Sequence, residues 1–170
     1  CYSDIKKKTI RETPDTQGRL AVIGIDYADV RDFASAGVLT EKDGEYIWRQ
    51  HTWICEESPF LKSIKFPIFQ NMGQPEFSDY EITPGQVIPP ENIVRWCMDR
   101  MNEYYVLKIT MDTYRYRLFK MLFESYGIRE ETKKDPYGQM RLIRKIGSVC
   151  GIIAPEIEKL FAEGRINYGA

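Results

Sequence analysis

The stretch LAVIGIDYADVRDFASAGVL, residues 20–39, decides the fold that the sequence predicts. Its opening run, Leu20–Tyr27, is apolar or glycine apart from Asp26, which is typical of a central strand buried on both faces. Asp29 and Asp32 follow at three-residue steps before the next apolar run begins. Because like charges this close repel one another, we expect some partner to compensate these three acids.

The composition indicates one globular domain of ordinary size. The chain has 170 residues, of which 43% are hydrophobic and 29% charged. We expect no membrane partner, because no apolar run approaches the ~18 residues of a span and the polar N-terminus is no signal peptide. Four dispersed cysteines without a C-x-x-C pair favour a reducing compartment over structural zinc. The single histidine, His51, argues against a histidine-ligated metal or a catalytic triad, which leaves carboxylate chemistry.

The first third of the chain predicts an antiparallel meander. Strands are expected over Leu20–Tyr27, Phe33–Leu39 and Glu45–Ile54, with Asp43-Gly44 as a hairpin turn. Residues 55–89 contain several prolines and are expected to form a long irregular loop, which in a compact domain is usually functional.

The remainder predicts alternating helices and strands. The segment PPENIVRWCMDRMNEY begins with proline and carries an apolar stripe at helical spacing. After it we expect a strand over Tyr105–Met111, a helix closed by Gly127, and a strand over Met140–Arg144. A last helix is expected over Ser148–Glu163, kinked or interrupted at Pro155.

This order predicts a mixed α/β fold in which two acids meet. If a crossover helix places Tyr105–Met111 beside Leu20–Tyr27 and parallel to it, then Asp26 and Asp112 lie at one edge of the sheet. Active sites of open α/β sheets lie at such carboxyl ends. Oxygen ligands suit Mg²⁺ or Mn²⁺, and two such ions can clamp both oxygens of a phosphodiester displacement. Asp26, at a rigid strand end, is our candidate for the carboxylate that bridges both ions.

Ordinary structural roles remain open for each acid. Asp112 precedes a helix and could serve as its N-cap or dipole partner. Asp29 and Asp32 could be plain turn residues. Asp26 could be a hydrogen-bonded turn acid, although a buried carboxylate without partners is costly.

Residues 108–145 form the most basic part of the chain. They hold ten Lys or Arg against five acids, a local charge of +5 that suits a phosphate-facing surface, although scattered solvated charges would also account for it. The candidates for nucleic-acid contact are Arg115, Arg117, Lys133, Lys134, Arg141 and Arg144.

Five segments together resemble one known family. They are GIDYADVRDFASAG, DGEYIWRQHTWI, DYEITPGQVIPPENI, VLKITMDTYRYRLFKMLFESYGI and QMRLIRKIGSVCGIIAPEIEKLFAEGRINYG. In this order they resemble the C-terminal nuclease domain of tailed-phage large terminase subunits, and the likeness covers about residues 20–169.

The resemblance implies a ribonuclease H-like fold, with a mixed five-stranded sheet flanked by helices, and a metal-dependent endonuclease. That family cuts concatemeric double-stranded viral DNA during packaging, using two Mg²⁺ or Mn²⁺ ions. Asp26 and Asp112 match its first and second catalytic metal ligands, and Asp32 matches the second acid of its first motif, in a supporting role. The family's third acid would lie beyond Ala170, so we expect this chain to cut DNA poorly or not at all.

The resemblance also implies the wider context. Residues 1–19 would link to an ATPase motor domain that this chain lacks, since no G-x-x-x-x-G-K-[ST] occurs, and residues 20–170 would be the nuclease domain, truncated at its C-terminal end. The implied partners are double-stranded DNA, the terminase small subunit and the portal protein. The implied location is the cytoplasm of a bacterial host carrying the phage or prophage.

Two alternatives remain open from the sequence. One is another ribonuclease H-like enzyme, such as a transposase or a resolvase; a sugar kinase is disfavoured because Tyr27-Ala28-Asp29 replaces its glycine-rich phosphate turn. The other is a noncatalytic DNA-binding or assembly module of the packaging motor.

Overall fold

A seven-stranded mixed sheet forms the centre of the computed structural model, which describes residues 14–61 and 80–167. The strands run in the order β4-β3-β2-β1-β5-β6, and β7 pairs with β3. The strands are β1 (Leu20–Asp26), β2 (Phe33–Lys42), β3 (Glu45–Cys55), β4 (Tyr80–Thr83), β5 (Tyr105–Met111), β6 (Met140–Leu142) and β7 (Ile166–Asn167). The helices are α1 (Pro90–Glu103), α2 (Tyr116–Ser125) and α3 (Ile146–Ala162).

The strand pairing confirms the central prediction. β1 pairs antiparallel with β2, β2 pairs antiparallel with β3, and β1 and β5 are parallel neighbours. The predicted number of five strands was wrong, because β4 lies within the supposed loop and β7 follows α3. Both are short edge strands that pair with β3, and two to four residues carry too little alternation to be recognised in a sequence.

The burial of β1 differs from the sequence prediction. Ala21, Ile23 and Ile25 are buried, whereas Leu20 is 62% and Val22 38% exposed. The strand therefore alternates, with one face in the core and the other open within the described residues, instead of being buried on both faces. The reason is that α1 and α2 supply core residues to one face only, while α3 is exposed along most of its length.

The helices cover the buried face through fully buried apolar side chains. Ile93 of α1 and Phe119 and Phe123 of α2 are 0% exposed, in the same cluster as Ile23 and Ile109 of the sheet. Burying one such side chain contributes roughly 1.5–3 kcal/mol, so this face holds the sheet and helices together. The stripe predicted in α1 is thus part of the core.

The last helix corrects a detail of the prediction. Helix α3 is continuous from Ile146 to Ala162, so the predicted interruption at Pro155 was wrong. A proline removes one backbone donor and crowds the preceding turn, but the helix can continue past it.

Part of the segment predicted as a linker contacts the domain. Thr16 is buried, and its hydroxyl lies 3.0 Å from the Tyr104 hydroxyl. The Gly18 N–H donates to the Glu103 carbonyl at 2.7 Å. Residues 14–19 are therefore packed against the end of α1, and residues 1–13 of the predicted linker lie outside the described residues.

Two glycines that pair across β1 and β2 provide a matched test of packing on the open face. Gly24 and Gly37 are register partners. A Cβ at Gly37 would meet the Trp48 ring at 2.1 Å, whereas a Cβ at Gly24 would meet its nearest atom, Thr110 Oγ1, at 3.9 Å. We expect Gly37→Ala to lower the free energy of unfolding by about 1–3 kcal/mol, because Trp48 must move, and Gly24→Ala to change it by less than ~0.5 kcal/mol. Urea denaturation measures both, and equal effects would contradict this packing.

Candidate active site

The carboxyl ends of β1 and β5 bring the two principal candidate acids together. The register pairs Ile25 with Met111, so the next residues, Asp26 and Asp112, are neighbours at the same edge of the sheet. Adjacent strands are about 4.8 Å apart, which places both residues within one small area. The backbone therefore agrees with the prediction that these two acids lie at one edge of the sheet.

A cleft of about 530 Å³ opens beside this edge. It lies between the loop that joins β1 to β2 and the turn that joins β5 to α2. Its lining residues are Tyr27, Ala28, Asp29, Val30, Asp32, Asp112, Tyr114 and Arg115. Asp26 does not line the cleft; it is exposed at the end of β1, on the face that also carries Leu20 and Val22.

Each candidate acid has a different environment. Asp112 Oδ1 accepts the Tyr114 N–H at 2.9 Å, and Asp32 Oδ1 accepts the Phe33 N–H at 2.9 Å. Each of these two acids therefore uses one carboxylate oxygen to accept a hydrogen bond within its own turn. The second oxygen of each carboxylate remains for other ligands. Within residues 14–61 and 80–167, no hydrogen bond or ion pair of the Asp26 carboxylate is found.

Asp29 is the acid that the protein itself compensates. It is buried, its Oδ1 accepts the Tyr114 hydroxyl at 2.6 Å, and its Oδ2 lies 2.9 Å from Arg115 Nε and 2.7 Å from Arg115 Nη2. Burial alone would raise the pKa of Asp29, but the hydrogen bonds from Tyr114 and Arg115 outweigh it and hold this pKa below its ordinary value. The hydrogen bond to Asp29 is also the main cause that raises the pKa of Tyr114, and the neighbouring Arg115 opposes this shift.

The segment 85–88 holds the β1–β2 loop in place. The Ile88 N–H donates to the Asp29 carbonyl at 2.9 Å, and the Tyr27 hydroxyl donates to the Ile88 carbonyl at 2.7 Å. Val30 also forms an antiparallel bridge with Val87. The sequence analysis did not assign this supporting role, and the glycine in TPGQVI, Gly85 at φ 84°, was the one visible signal of a specific turn.

The six basic candidates lie at different places in the fold. Ile143 donates its N–H to the Met111 carbonyl at 2.8 Å, so Arg144 follows β6 on the same edge as Asp112. Lys133 and Lys134 are exposed on the loop before β6, towards the opposite end of that strand. Of the remaining candidates, Arg117 is exposed on α2, Arg141 pairs with Glu131 at 2.8 Å, and Arg115 pairs with Asp29.

The described acids only partly meet the needs of a metal site. Asp26 and Asp112 lie at one edge of the sheet, and each has at least one carboxylate oxygen that no described protein group contacts. Carboxylate oxygens are the donors that Mg²⁺ and Mn²⁺ prefer. Among the described residues, however, no group of three or more His, Cys, Asp or Glu side chains could hold an ion. Asp29 is already engaged by Arg115 and Tyr114, so the donors that remain fit at most a weakly held cation.

A solved phage protein has the same fold. The chain is similar to the crystal structure of the HK97 bacteriophage large terminase, with a TM-score of 0.73 and 15% sequence identity over 99% of this chain. The match spans 33% of that terminase chain. This chain therefore has the fold of one part of a phage large terminase, which confirms the predicted ribonuclease H-like class and supports the predicted resemblance to a terminase large-subunit domain.

The two sequence comparisons find no related protein. No protein-family model matches the chain, and a search of curated proteins finds no match. In the portion that the structure describes, no helix has the length and apolar character needed to cross a membrane.

The Asp29 cluster predicts a pH-dependent contribution to stability. Because the pKa of Asp29 is lower in the folded than in the unfolded state, its contribution is complete above the unfolded value of about 3.9 and is lost as the pH falls through the folded value. We expect Asp29→Asn to lower the Tm at pH 7, and this difference to shrink below about pH 4. Thermal unfolding from pH 7 to pH 3 measures it, with Asp43→Asn at the hairpin tip as a control for the loss of one charge. A constant difference would contradict the assignment.

Proposed function

We propose that this chain is the metal-dependent endonuclease domain of a phage DNA-packaging terminase large subunit, and that it cuts concatemeric double-stranded DNA. The observation that carries the proposal is the pairing of β1 with β5, which places Asp26 and Asp112 side by side in a fold shared with a phage large terminase. Carboxyl ends of neighbouring parallel strands are where such sheets hold their reacting groups.

The proposed roles follow from the surroundings of each acid. Asp26 and Asp112 would hold the Mg²⁺ or Mn²⁺ ions, and Asp32 would support them from the cleft wall. Bound divalent ions supply an activated water and stabilise the leaving oxygen of a phosphodiester. The Tyr114 N–H orients Asp112 through one oxygen and leaves the other for a cation. Asp29 has no ligand role in this proposal.

The partners are part of the same proposal. Double-stranded DNA would approach the carboxyl edge of the sheet, where Arg144 and the cleft lie together. The terminase small subunit and the portal protein would be assembly partners, in the cytoplasm of a bacterial host. The chain spans about a third of the large terminase it matches, so these whole-protein features rest on the proposal.

The metal-binding role is tested by calorimetry. Titration of Mn²⁺ into the 170-residue chain should show weak binding that Asp26→Asn or Asp112→Asn weakens by tenfold or more, because each change removes a charged ligand. Asp43→Asn makes the same chemical change at the hairpin turn, at the other end of the sheet, and should leave the affinity unchanged. Equal affinities for wild type and Asp26→Asn would contradict the site.

Binding of DNA should be insensitive to sequence and sensitive to salt. Each lost phosphate contact should reduce the slope of log K against log salt by about 0.9. We expect Arg144→Ala to reduce this slope, because Arg144 lies on the edge of the candidate site. The double change Lys133→Ala, Lys134→Ala tests the loop before β6 separately, and an unchanged affinity at low salt would remove that loop from the DNA surface.

A noncatalytic DNA-binding or assembly module is the second candidate. It is favoured by the lack of a group of three metal-ligating side chains among the described residues. Nicking of supercoiled plasmid in Mn²⁺ distinguishes the two candidates. We expect slow nicking that Asp26→Asn and Asp112→Asn abolish, and nicking that survives both changes would show that the acids are misassigned.

A further inference from the structure

We propose that Asp29 is a positioning residue that aims Arg115 at a phosphate of the DNA bound in the cleft. This inference rests on the proposed function, because DNA is the ligand that it assumes. It gives the most buried acid of the first motif a role other than metal binding. Arg115 becomes the phosphate-binding group, and Asp29 acts through it.

The first argument is the way in which Asp29 holds the guanidinium. Its Oδ2 contacts Nε at 2.9 Å and Nη2 at 2.7 Å, while its Oδ1 accepts the Tyr114 hydroxyl. A guanidinium carries five N–H donors, and the contacts with Asp29 use only the side formed by Nε and Nη2. The donors of Nη1 are therefore not used by Asp29, and even with the additional side-chain hydrogen bond between Arg115 and Tyr114 the guanidinium has more donors than these two partners take up.

The second argument is the contrast in exposure between the two partners. The Asp29 side chain is 11% exposed, whereas that of Arg115 is 51% exposed, and both line the cleft with Asp112. Here the acid is inside and the arginine reaches the surface, which is the arrangement that presents a fixed guanidinium to a ligand.

The third argument is the backbone at Arg115. This residue directly precedes α2 and has φ 53° and ψ 12°, in the left-handed region that residues with a Cβ rarely occupy. Strained positions of this kind persist where the surroundings hold them, and they cluster at functional sites. The contacts with Asp29 hold the side chain of this strained residue, and Tyr114 lies with its ring 5.6 Å below the guanidinium carbon.

The negative charge of the cleft explains why a fixed guanidinium would be needed for phosphate binding. Asp29, Asp32 and Asp112 all line it, and Arg115 is the only cation among its lining residues in the described part of the chain. A phosphate entering next to Asp112 meets repulsion from the acids. A guanidinium fixed before binding offsets this repulsion without losing side-chain entropy when the DNA arrives.

The test is a double-mutant cycle on DNA affinity. A fluorescent 20-bp duplex is bound in Mg²⁺ at fixed ionic strength, and a gel confirms that the duplex stays intact. We expect Arg115→Ala to weaken binding about tenfold. Asp29→Asn should also weaken it several-fold, although this change removes a negative charge near the DNA. In the Arg115→Ala background, Asp29→Asn should cause no further loss.

One further variant, Arg115→Gly, measured with two charge controls, separates the loss of DNA binding from backbone strain. Arg115→Gly accepts the positive φ without strain, so its Tm should fall only through the loss of the ion pair with Asp29, as in Asp29→Asn, and well below that Tm it should lose as much DNA affinity as Arg115→Ala. The salt slope should fall by about 0.9 in both, which a merely structural role would not produce. Arg165→Ala and Glu163→Gln, an arginine–carboxylate pair next to the Gly44 turn at the other end of the sheet, control for net charge.

The outcomes distinguish this inference from the proposed function. Tighter binding by Asp29→Asn, or an unchanged affinity for Arg115→Gly, overturns the inference while DNA binding and nicking by the wild type still support the proposed function. Loss of affinity in the cycle, together with Mn²⁺ binding that Asp26→Asn leaves unchanged, supports the inference and overturns the metal-dependent nuclease. No DNA binding by the wild type overturns both.

Discussion

The parallel pairing of β1 with β5 is the contact on which the rest of the structure depends. It joins the opening meander to the helix-and-strand half of the chain, and it places Ile23 and Ile109 in the same core. Helix α1 connects the two halves and packs on the face that these strands bury. Because the two strands run the same way, their carboxyl ends coincide, and the two loops that line the cleft begin side by side.

The crowded acids at this edge are handled in different ways. Asp29 is neutralised within the fold by Arg115 and Tyr114, and Asp32 and Asp112 each satisfy one oxygen with a nearby backbone N–H. Asp26 is left exposed at the end of its strand. The protein thus supplies the expected compensation for Asp29, whereas Asp26, Asp32 and Asp112 keep carboxylate oxygens without a protein partner among the described residues, which is what the proposed metal site requires.

The two cleft loops are held by different parts of the chain. Segment 85–88 fixes the β1–β2 loop through backbone hydrogen bonds, while the Asp29–Arg115 pair ties that loop to the turn before α2. Both sets of contacts join residues far apart in sequence, so the cleft exists only in the folded domain. Such preorganisation lowers the entropic cost of ordering these loops when a ligand binds, which is what the proposed phosphate contact requires.

The sequence by itself determined the meander and the strand Tyr105–Met111, because apolar runs and turn residues are local properties. The order of strands and helices, with the usual hand of crossover connections, then predicted that Asp26 and Asp112 lie at one edge of the sheet. The sequence could not determine that β4 and β7 join the sheet, that one face of β1 stays open, or that Asp29 binds Arg115 across 86 residues. These features depend on which surfaces meet after folding. The sequence pattern of an aspartate followed by a turn is the same whether the carboxylate binds a metal, a backbone N–H or an arginine. Only the tertiary structure shows which of these partners lies near it.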